Sequence, residues 1–320
     1  MKVALFGSTG LLGSAVENEL KSRGHSCHSF SRRGTKTGQG YHASEDLLIE
    51  NHESVTRRML DLWPDAIVNC AAVSSPDQVK VNPALAHAIN VGGSRHLAEV
   101  SSHLGARFLH ISTDMVFDGS KSPYRSTDQP NPLSEYGRQK LEAEKAILSV
   151  TDENLVVLRI TLINGNSPGG TRSQHEKILH ALANNEPLVL FEDEVRQPCS
   201  SENVASAMVE LLERPNLNGL FHWAGDEEIS RYQLGVRILR RFGMNPKGIK
   251  KGSLKKEEAR IGLRPRHLGF ELAPLVGKLK TKPPSVDKQL EGLIVPPSLY
   301  GWYREAADDP SRYVPRFSSK

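Results

Sequence analysis

The chain has 320 residues, of which 38% are hydrophobic and 24% are charged, so it can bury a substantial core as one large domain or two modest ones. Its formal net charge is +4, and much of the basic excess lies after residue 235 without aromatic residues between the charges. That pattern favours a solvated surface over a nucleic-acid site, and no apolar run approaches the roughly 20 residues that a membrane-spanning helix needs.

Short apolar runs alternate with helical patterns over the first 160 residues. Strands are predicted at residues 3–6, 26–30, 66–70, 107–112 and 155–160. Helices are predicted at residues 12–24 and 55–62, across 82–104 with a break at Gly92 and Gly93, and around Tyr136. The first strand leads directly into a glycine loop, so it is not interpreted as a signal peptide. This alternation is typical of an α/β protein with a parallel sheet and crossover helices.

The second half of the chain has a different pattern. Residues 164–171 form a loop rich in Gly, Pro and Ser, and helices are predicted at residues 174–183, 201–212 and 231–242. The last 50 residues are Pro-rich and loosely patterned, so they either pack over the site or trail from it. The cysteines Cys27, Cys70 and Cys199 are odd in number and far apart, which favours a reduced, cytoplasmic compartment.

A Gly-x-x-Gly-x-x-Gly motif follows the first strand and opens the first helix. In such a motif the first glycine permits a tight turn, the second lets the backbone approach a pyrophosphate, and the third allows close packing of helix on strand. The free N–H groups of the helix N-terminus then favour an anion. The alternative is a merely flexible turn. The predicted cofactor-binding residues here are Gly7, Thr9, Gly10, Leu11, Leu12 and Gly13.

Two arginines follow the second predicted strand, where a dinucleotide-binding fold meets the adenosine ribose. An acidic residue there binds a free 2′-hydroxyl, whereas a basic residue pairs with a 2′-phosphate. Arg32 and Arg33 therefore favour NADP(H) over NAD(H), the alternative being two exposed arginines in a polar loop. Asp46 is a further candidate for a contact with adenine.

Tyr136 and Lys140 are four residues apart on one predicted helix, so their side chains lie on the same face. The Lys140 ammonium is expected to approach the Tyr136 phenol and to lower its pKa from the usual value of about 10. Thr113, at the end of a strand, completes a set that can protonate a carbonyl oxygen while hydride reaches its carbon. Tyr-x-x-x-Lys alone occurs by chance in many helices, and its combination with the glycine motif carries the prediction.

These motifs resemble the extended short-chain dehydrogenase/reductases, and within them the dTDP-4-dehydrorhamnose reductase group. The resemblance continues more thinly through Arg196-Gln197-Pro198, Gly219-Leu220-Phe221-His222-Trp223-Ala224-Gly225 and Arg264-Pro265-Arg266. These later stretches also resemble the regulatory β subunit of methionine adenosyltransferase, a member of the same superfamily that binds NADP and works as a partner protein. The resemblance is carried by the glycine motif, Asn69-Cys70-Ala71-Ala72, Asn90, Ser112-Thr113-Asp114-Met115-Val116-Phe117-Asp118-Gly119, Pro130-Asn131-Pro132-Leu133 and Tyr136-Gly137-Arg138-Gln139-Lys140.

The resemblance implies a Rossmann-type, doubly wound parallel sheet with a smaller, partly discontinuous substrate lobe. Residues 1–160 would bind NADP(H), and residues 161–320 would form most of the substrate lobe, with segments that return to the first domain. The implied activity is NADPH-dependent reduction of the 4-keto group of a nucleotide-activated deoxysugar. A regulatory subunit of a partner enzyme and another sugar-nucleotide reductase or epimerase are the alternatives, and both a homodimer and a complex with a partner enzyme stay open.

The resemblance also implies roles for individual residues. Tyr136 would donate the proton, Lys140 would hold the nicotinamide ribose, and Asn90 would support the active site. The residues Ala71, Ala72 and Val73 would line the cofactor site, and Thr113 and Asp114 would meet the substrate or its carbonyl oxygen. Met115 stands where the family usually has tyrosine, and Cys199 where it commonly has threonine.

Several other residues have two interpretations each. Arg196, Arg264 and Arg266 either face a substrate diphosphate or form surface salt bridges, and Arg196 is taken as a substrate-binding candidate. Trp223 is interpreted as a core aromatic in preference to a pocket wall, and Cys70 as a small packing residue. The histidines share no metal-ligand spacing with acidic residues, so no metal site is predicted.

Overall fold

The computed structural model describes residues 1–35, 43–151 and 153–313, with the side chains of residues 260 and 261 excepted. Its strands are β1 (Lys2–Phe6), β2 (Ser26–Ser31), β3 (Glu45–Asp46), β4 (Ala66–Asn69), β5 (Arg107–Thr113), β6 (Leu155–Ile160), β7 (Ile163–Asn164), β8 (Leu188–Phe191), β9 (Val195–Arg196), β10 (Cys199–Ser200), β11 (Gly219–Trp223), β12 (Ile229–Ser230), β13 (Ile249–Gly252) and β14 (His267–Leu268).

The helices are α1 (Leu11–Ser22), α2 (His52–Leu62), α3 (Pro76–Val81), α4 (Pro83–His87), α5 (Ser94–Leu104), α6 (Glu135–Leu148), α7 (Gln174–Ala183), α8 (Ser201–Leu212), α9 (Arg231–Arg241), α10 (Leu254–Ile261), α11 (Leu275–Lys278), α12 (Val286–Glu291) and α13 (Tyr300–Ala306). A π-helical turn, Ala88–Gly93, joins α4 to α5. None of the helices in the described ranges has the length and the apolar run that crossing a bilayer would require.

Seven parallel strands form the main sheet in the order β11-β6-β5-β4-β1-β2-β3. From β1 the chain moves outward to β2 and β3, and then returns to the other side of β1 with β4. The direction of winding therefore reverses between β1 and β4, and in open α/β sheets such a switch point creates a crevice at the carboxyl ends of the strands. The predicted Rossmann-like α/β fold is confirmed.

Helices cover both faces of this sheet, and buried residues of β1 point alternately to the two faces. Val3 and Leu5 face the side packed by α1 and α8, whereas Ala4 and Phe6 face the side packed by α2, α5 and α6. Each strand residue alternates between the two faces. The central strands are therefore buried on both sides, which explains their continuous apolar sequences.

The five predicted strands are confirmed, and most of the predicted helices are present with ends that shift by up to three residues. The predicted break at Gly92 and Gly93 is wrong. The backbone stays helical through these glycines as part of the π turn. A Cβ on Gly93 would lie 2.8 Å from Ile49 Cγ1, so this glycine permits a close approach of the Ile49 segment and does not end the helix.

The second half builds smaller sheets and one further core. β8 pairs with β13, β9 with β12 and β14, and β7 with β10, while β11 returns to the edge of the main sheet. Of the two alternatives left open for the last 50 residues, the structure shows packing, and not a trailing segment, as far as residue 313. Leu290, Tyr303 and Tyr313 are buried with Ile178 and Leu234 in one cluster, because the prolines interrupt short amphipathic helices without preventing their packing. Residues 314–320 lie outside the described residues.

Candidate functional site

A groove of about 480 Å³ opens at the carboxyl ends of β1, β2 and β4, where the winding of the sheet reverses. The described residues that line it are Phe6, Gly7, Thr9, Gly10, Phe30, Ser31, Arg32, Arg33, Thr35, Leu47, Leu48, Ile49, Glu50, Cys70, Ala71, Ala72, Val73, Ile89 and Arg172. Its polar wall carries arginines, and its apolar wall includes leucine, isoleucine and valine side chains. This combination suits a ligand with an anionic part and flat apolar parts.

The glycine turn between β1 and α1 has no room for side chains. Gly7 has φ +81°, and a Cβ there would lie 2.6 Å from Ala71 N, so a larger residue would be strained and would also collide with the backbone after β4. A Cβ on Gly13 would lie 2.1 Å from Gly7 O. Gly10 precedes α1, and no described side chain caps its first N–H groups. These N–H groups are therefore available to an anion, and the glycine turn leaves room for one beside them.

Only some of the predicted cofactor residues line the groove. Gly7, Thr9, Gly10, Arg32, Arg33, Ala71, Ala72 and Val73 line the groove, whereas Leu11, Leu12, Gly13 and Asn90 do not. Leu12 is buried in the core, and Asn90 lies behind Val73. The Asn90 Oδ1 accepts from Val73 N at 2.9 Å, and its Nδ2 donates to Gln139 Oε1 at 3.0 Å. Asn90 therefore fixes the backbone of a lining residue.

Two parts of the groove were not predicted from the sequence. The described lining includes Leu47, Leu48, Ile49 and Glu50 but not Asp46, so the segment after β3 contributes three apolar residues and a different acidic residue from the one expected. β3 has only two residues and no alternating pattern that would indicate it. Arg172, from the loop before α7, also lines the groove, and nothing in its local sequence indicates this.

Thr113, Asp114 and Tyr136 meet beyond the end of β5. The Thr113 hydroxyl donates to Asp114 Oδ1 at 3.1 Å and accepts from Met115 N at 3.2 Å, which begins a 3₁₀ turn, Asp114–Val116. On α6, a Cβ at Gly137 would lie 2.3 Å from Met115 O, so this glycine lets the helix pack directly on the turn. Tyr136 is thereby held beside Thr113. Val73, which lines the groove, packs against the same cluster as Tyr136, whereas Thr113, Asp114, Tyr136 and Lys140 are not among the described residues of the groove lining.

The pKa of Tyr136 is raised, contrary to the expectation that Lys140 would lower it. Burial is the largest cause, and the nearby Asp114 carboxylate adds to it, while a hydrogen bond with Thr113 acts in the opposite direction. The phenol is 8% exposed and packs against Val79 and Ala86. It is therefore held in its protonated form at neutral pH.

Lys140 is directed to a different neighbour from the one expected. Its Nζ lies 2.9 Å from His110 Nε2 and donates to Ile111 O at 2.6 Å. Burial lowers the pKa of Lys140 to about 8, although the charge of Glu144 opposes this shift. The pKa of His110, which is fully buried, is well below its usual value because of burial and of the Lys140 charge. The i,i+4 spacing predicted the helix face of Lys140 correctly. The position of its amine depends on His110 and Ile111 of β5, which the spacing does not describe.

The tautomer of His110 follows from a chain of buried hydrogen bonds. Asn69 Oδ1 accepts from Ala71 N at 3.0 Å, so its Nδ2 faces Ser94 Oγ at 3.0 Å and His110 Nδ1 at 3.1 Å. Nδ1 must then accept, which places the ring proton on Nε2. His110 can donate this proton to Lys140 when that amine is neutral. His110 is thus a site neighbour that the sequence indicated only as an ordinary histidine.

Asp114 and Arg196 face each other at the edge of the second half. Burial raises the pKa of Asp114 to about 6, despite the opposing charge of Arg196, whose Nε is 3.9 Å from Asp114 Oδ2. The Arg196 guanidinium also donates to Val195 O and Pro265 O at 2.7 and 2.9 Å and lies 3.1 Å from Glu194. These contacts tie Arg196 to the loop before β14, and its role in substrate binding stays a prediction.

The other candidates lie away from the groove lining. Arg264 and Arg266 are exposed. Trp223 is fully buried, with its Nε1 donating to Asn203 Oδ1 at 2.9 Å, which is the expected core position. Cys199 is buried beside the same amide. Within the described residues, no group of three His, Cys, Asp or Glu side chains could hold a metal ion.

The family model described as the RmlD substrate binding domain matches residues 1–295. The chain belongs to this family. The RmlD substrate binding domain thus spans the main sheet, the groove and most of the second half, including the Thr113–Tyr136 cluster.

Similar proteins of two kinds accompany the family match. Methionine adenosyltransferase 2 subunit beta of Rattus norvegicus is 34% identical over 254 residues, which are 76% of this chain and 72% of that protein. A probable low-salt glycan biosynthesis reductase, Agl14, of Haloferax volcanii is 29% identical over 299 residues, which are 90% of this chain and 95% of that protein.

Two solved structures have the same fold. A dTDP-4-dehydrorhamnose reductase from Clostridium acetobutylicum superposes with a TM-score of 0.78 at 25% identity, and the match covers 91% of this chain and 97% of that chain. The dTDP-4-dehydrorhamnose reductase from Bacillus anthracis, in complex with NADP, has the same TM-score and coverage at 23% identity.

Proposed function

We propose that the protein is an NADPH-dependent reductase of the 4-keto group of a nucleotide-activated deoxysugar. The observation that carries this proposal is the cluster of Thr113, Asp114 and Tyr136, which is joined to the groove of the glycine turn by the packing of the lining residue Val73. The family and the reductases among the similar proteins support the substrate class. We also propose that the second half, residues 161–320, supplies most of the substrate side.

The groove supports a nicotinamide dinucleotide as the cofactor. The Gly7–Gly13 turn and the N-terminus of α1 would hold the diphosphate. Arg32 and Arg33 follow β2, where their guanidinium groups would pair with a 2′-phosphate, so NADP(H) is preferred. Leu47, Ile49 and Val73 would pack against the flat rings. Bound NADPH would supply the hydride.

Tyr136 would donate a proton to the carbonyl oxygen as its carbon is reduced. A donor must be protonated before the reaction, and the raised pKa of Tyr136 meets this condition. The Thr113 hydroxyl, fixed by Asp114 and by Met115 N, would stabilise the developing oxyanion. Lys140, positioned by its hydrogen bond to Ile111 O, would hold the nicotinamide ribose.

The direct test is a reductase assay. The purified protein is mixed with NADPH and dTDP-4-keto-6-deoxymannose, and the nicotinamide absorbance is followed. Tyr136→Phe should lower the rate by about 10²–10⁴-fold, since the proton donor is lost, while the Kd for NADPH stays within about twofold. Tyr300→Phe, at a partly exposed tyrosine of α13, is the control and should change neither value. Unchanged turnover in Tyr136→Phe would refute the role of Tyr136.

A second candidate function is an NADP-binding regulatory subunit of a partner enzyme. The 34% identity to methionine adenosyltransferase 2 subunit beta supports it. The same assay separates the two proposals. NADPH binding without oxidation across a set of nucleotide-linked 4-keto sugars would exclude the reductase and favour the regulatory subunit.

A further inference from the structure

One buried carboxylate shapes the loop between β7 and α7. Glu176, only 2% exposed, accepts four hydrogen bonds: from Ser167 N at 2.7 Å, Ser167 Oγ at 2.6 Å, Arg172 N at 2.7 Å and Ser173 N at 2.9 Å. Charge-assisted bonds of this length hold a backbone firmly. The loop is further fixed by His180, whose Nε2 lies 3.0 Å from Gly170 O. The backbone at Arg172 therefore has one defined position.

The Arg172 side chain leaves this loop and reaches the glycine turn of the first half. Its Nη1 lies 3.4 Å from Thr9 O, and a Cβ built on Gly10 would be 3.9 Å from the same nitrogen. Every other described residue of the groove lining lies at or before residue 89. Among the described residues, Arg172 is thus the one side chain by which the second half contributes to the groove.

Within the described ranges, the guanidinium of Arg172 has no carboxylate partner, and the residue is exposed. A carbonyl at 3.4 Å is a weak acceptor, so most of the N–H donors of Arg172, a residue of the groove lining, have no acceptor among the described residues. The uncapped N–H groups of α1 begin after Gly10, and the Nη1 of Arg172 lies 3.9 Å from a Cβ built on that glycine. Two sets of donors close to one turn suit a ligand with two adjacent phosphates.

We propose that Arg172 binds the diphosphate of the bound dinucleotide, so that the second half of the chain clamps the cofactor onto the glycine turn. The proposal rests on the proposed function only in taking a nicotinamide dinucleotide as the ligand. The diphosphate is favoured over the 2′-phosphate because Arg172 reaches Thr9 and Gly10, whereas Arg32 and Arg33 follow β2. A planar guanidinium can bind two phosphate oxygens at once.

The test compares binding of two dinucleotides that share the diphosphate. Dissociation constants for NADP⁺ and NAD⁺ are measured calorimetrically for the wild type and for Arg172→Ala. We expect the variant to bind both at least about tenfold more weakly, by the same factor, since a charge-assisted contact common to both is lost. The Arg32→Ala/Arg33→Ala variant should instead lose affinity for NADP⁺ only. Arg57→Ala, at an exposed arginine of α2, should change neither constant.

The following binding outcomes would overturn the proposal. Unchanged constants in Arg172→Ala would show that Arg172 does not meet the ligand, and a loss confined to NADP⁺ would place it at the 2′-phosphate. A lower thermal midpoint with unchanged affinity would make the contact with Thr9 merely structural. A wild type that binds neither dinucleotide would remove the proposal together with the cofactor assignment. A wild type that binds NADPH but reduces no keto sugar removes only the reductase, because the Arg172 test measures binding.

Discussion

At the scale of single residues, Asp114 combines burial with a position beside Thr113 and Tyr136. Its pKa is about 6 in the folded chain, because burial disfavours the carboxylate more than Arg196 and Thr113 favour it. The ordinary pKa of an aspartate is about 4. The folded state therefore binds more protons than the unfolded state between these two values. Stability from this group is fully present below pH about 4 and is lost as the pH rises to about 6.

Asp114→Asn should remove this dependence. The free energy of unfolding of the variant, relative to that of the wild type, should increase from pH about 4 to about 6 and then stay constant. Urea unfolding at a series of pH values measures the difference. A difference that is constant over this range would mean that Asp114 titrates like an exposed aspartate.

For Tyr136 and Lys140, residue spacing predicts the shared helix face but not the pKa values or the hydrogen-bond partners. The i,i+4 rule placed both on one face of α6, and the structure agrees. The rule contains no information on burial or on neighbours from other strands. The pKa of Tyr136 is raised by burial and by Asp114, and the amine of Lys140 is bound by His110 and Ile111, which lie on β5. Electrostatics inside a protein depend on these long-range contacts, so the predicted direction of the shift was wrong.

At the scale of secondary structure elements, the β1–turn–α1 unit depends on close backbone contact. The sequence predicted this unit correctly because each of its signals is local: an apolar strand, three spaced glycines and a helical pattern. In the structure a Cβ on Gly13 would lie 2.1 Å from Gly7 O, so α1 could not keep its position against the turn. Gly277, by contrast, lies in α11 with nothing within 4 Å of a built Cβ.

Gly13→Ala should therefore lower the free energy of unfolding by at least about 1–3 kcal/mol and weaken dinucleotide binding, since overpacking displaces the turn. Gly277→Ala adds the same methyl group in open space and should leave both unchanged. Thermal unfolding and NADPH titration measure the two effects. Equal behaviour of the two variants would contradict the close packing of α1 on the turn.

At the scale of the whole molecule, the C-terminal part of the chain is a structural component. Leu275 and Leu279 belong to the core under the main sheet, and Gln289 of α12 bonds to Asn164 and to Pro198 O at 2.9 and 2.8 Å. These contacts join segments more than 90 residues apart in the chain. Deleting the region after residue 272 would therefore damage the fold.

A pair of substitutions on α12 tests this packing. Leu290 is 2% exposed, and Leu290→Ala should lower the free energy of unfolding by about 2–5 kcal/mol, because it removes buried methyl groups and leaves a cavity. Lys288→Ala, on the exposed side of the same helix, should change it by less than about 0.5 kcal/mol. Denaturant unfolding of the full chain measures both. A Leu290→Ala change as small as that of Lys288→Ala would show that α12 is not part of the core.

The sequence by itself determined five of the seven strands of the main sheet, the glycine turn, the arginines after β2 and the helix face of Tyr136. Each of these depends on residues within a few positions of one another, where spacing alone specifies geometry. Only the tertiary structure decided that Arg172 reaches Thr9, that His110 holds Lys140 and that the Pro-rich region packs. These contacts join residues that are distant in the chain, and chain folding, which no local pattern encodes, brings them together.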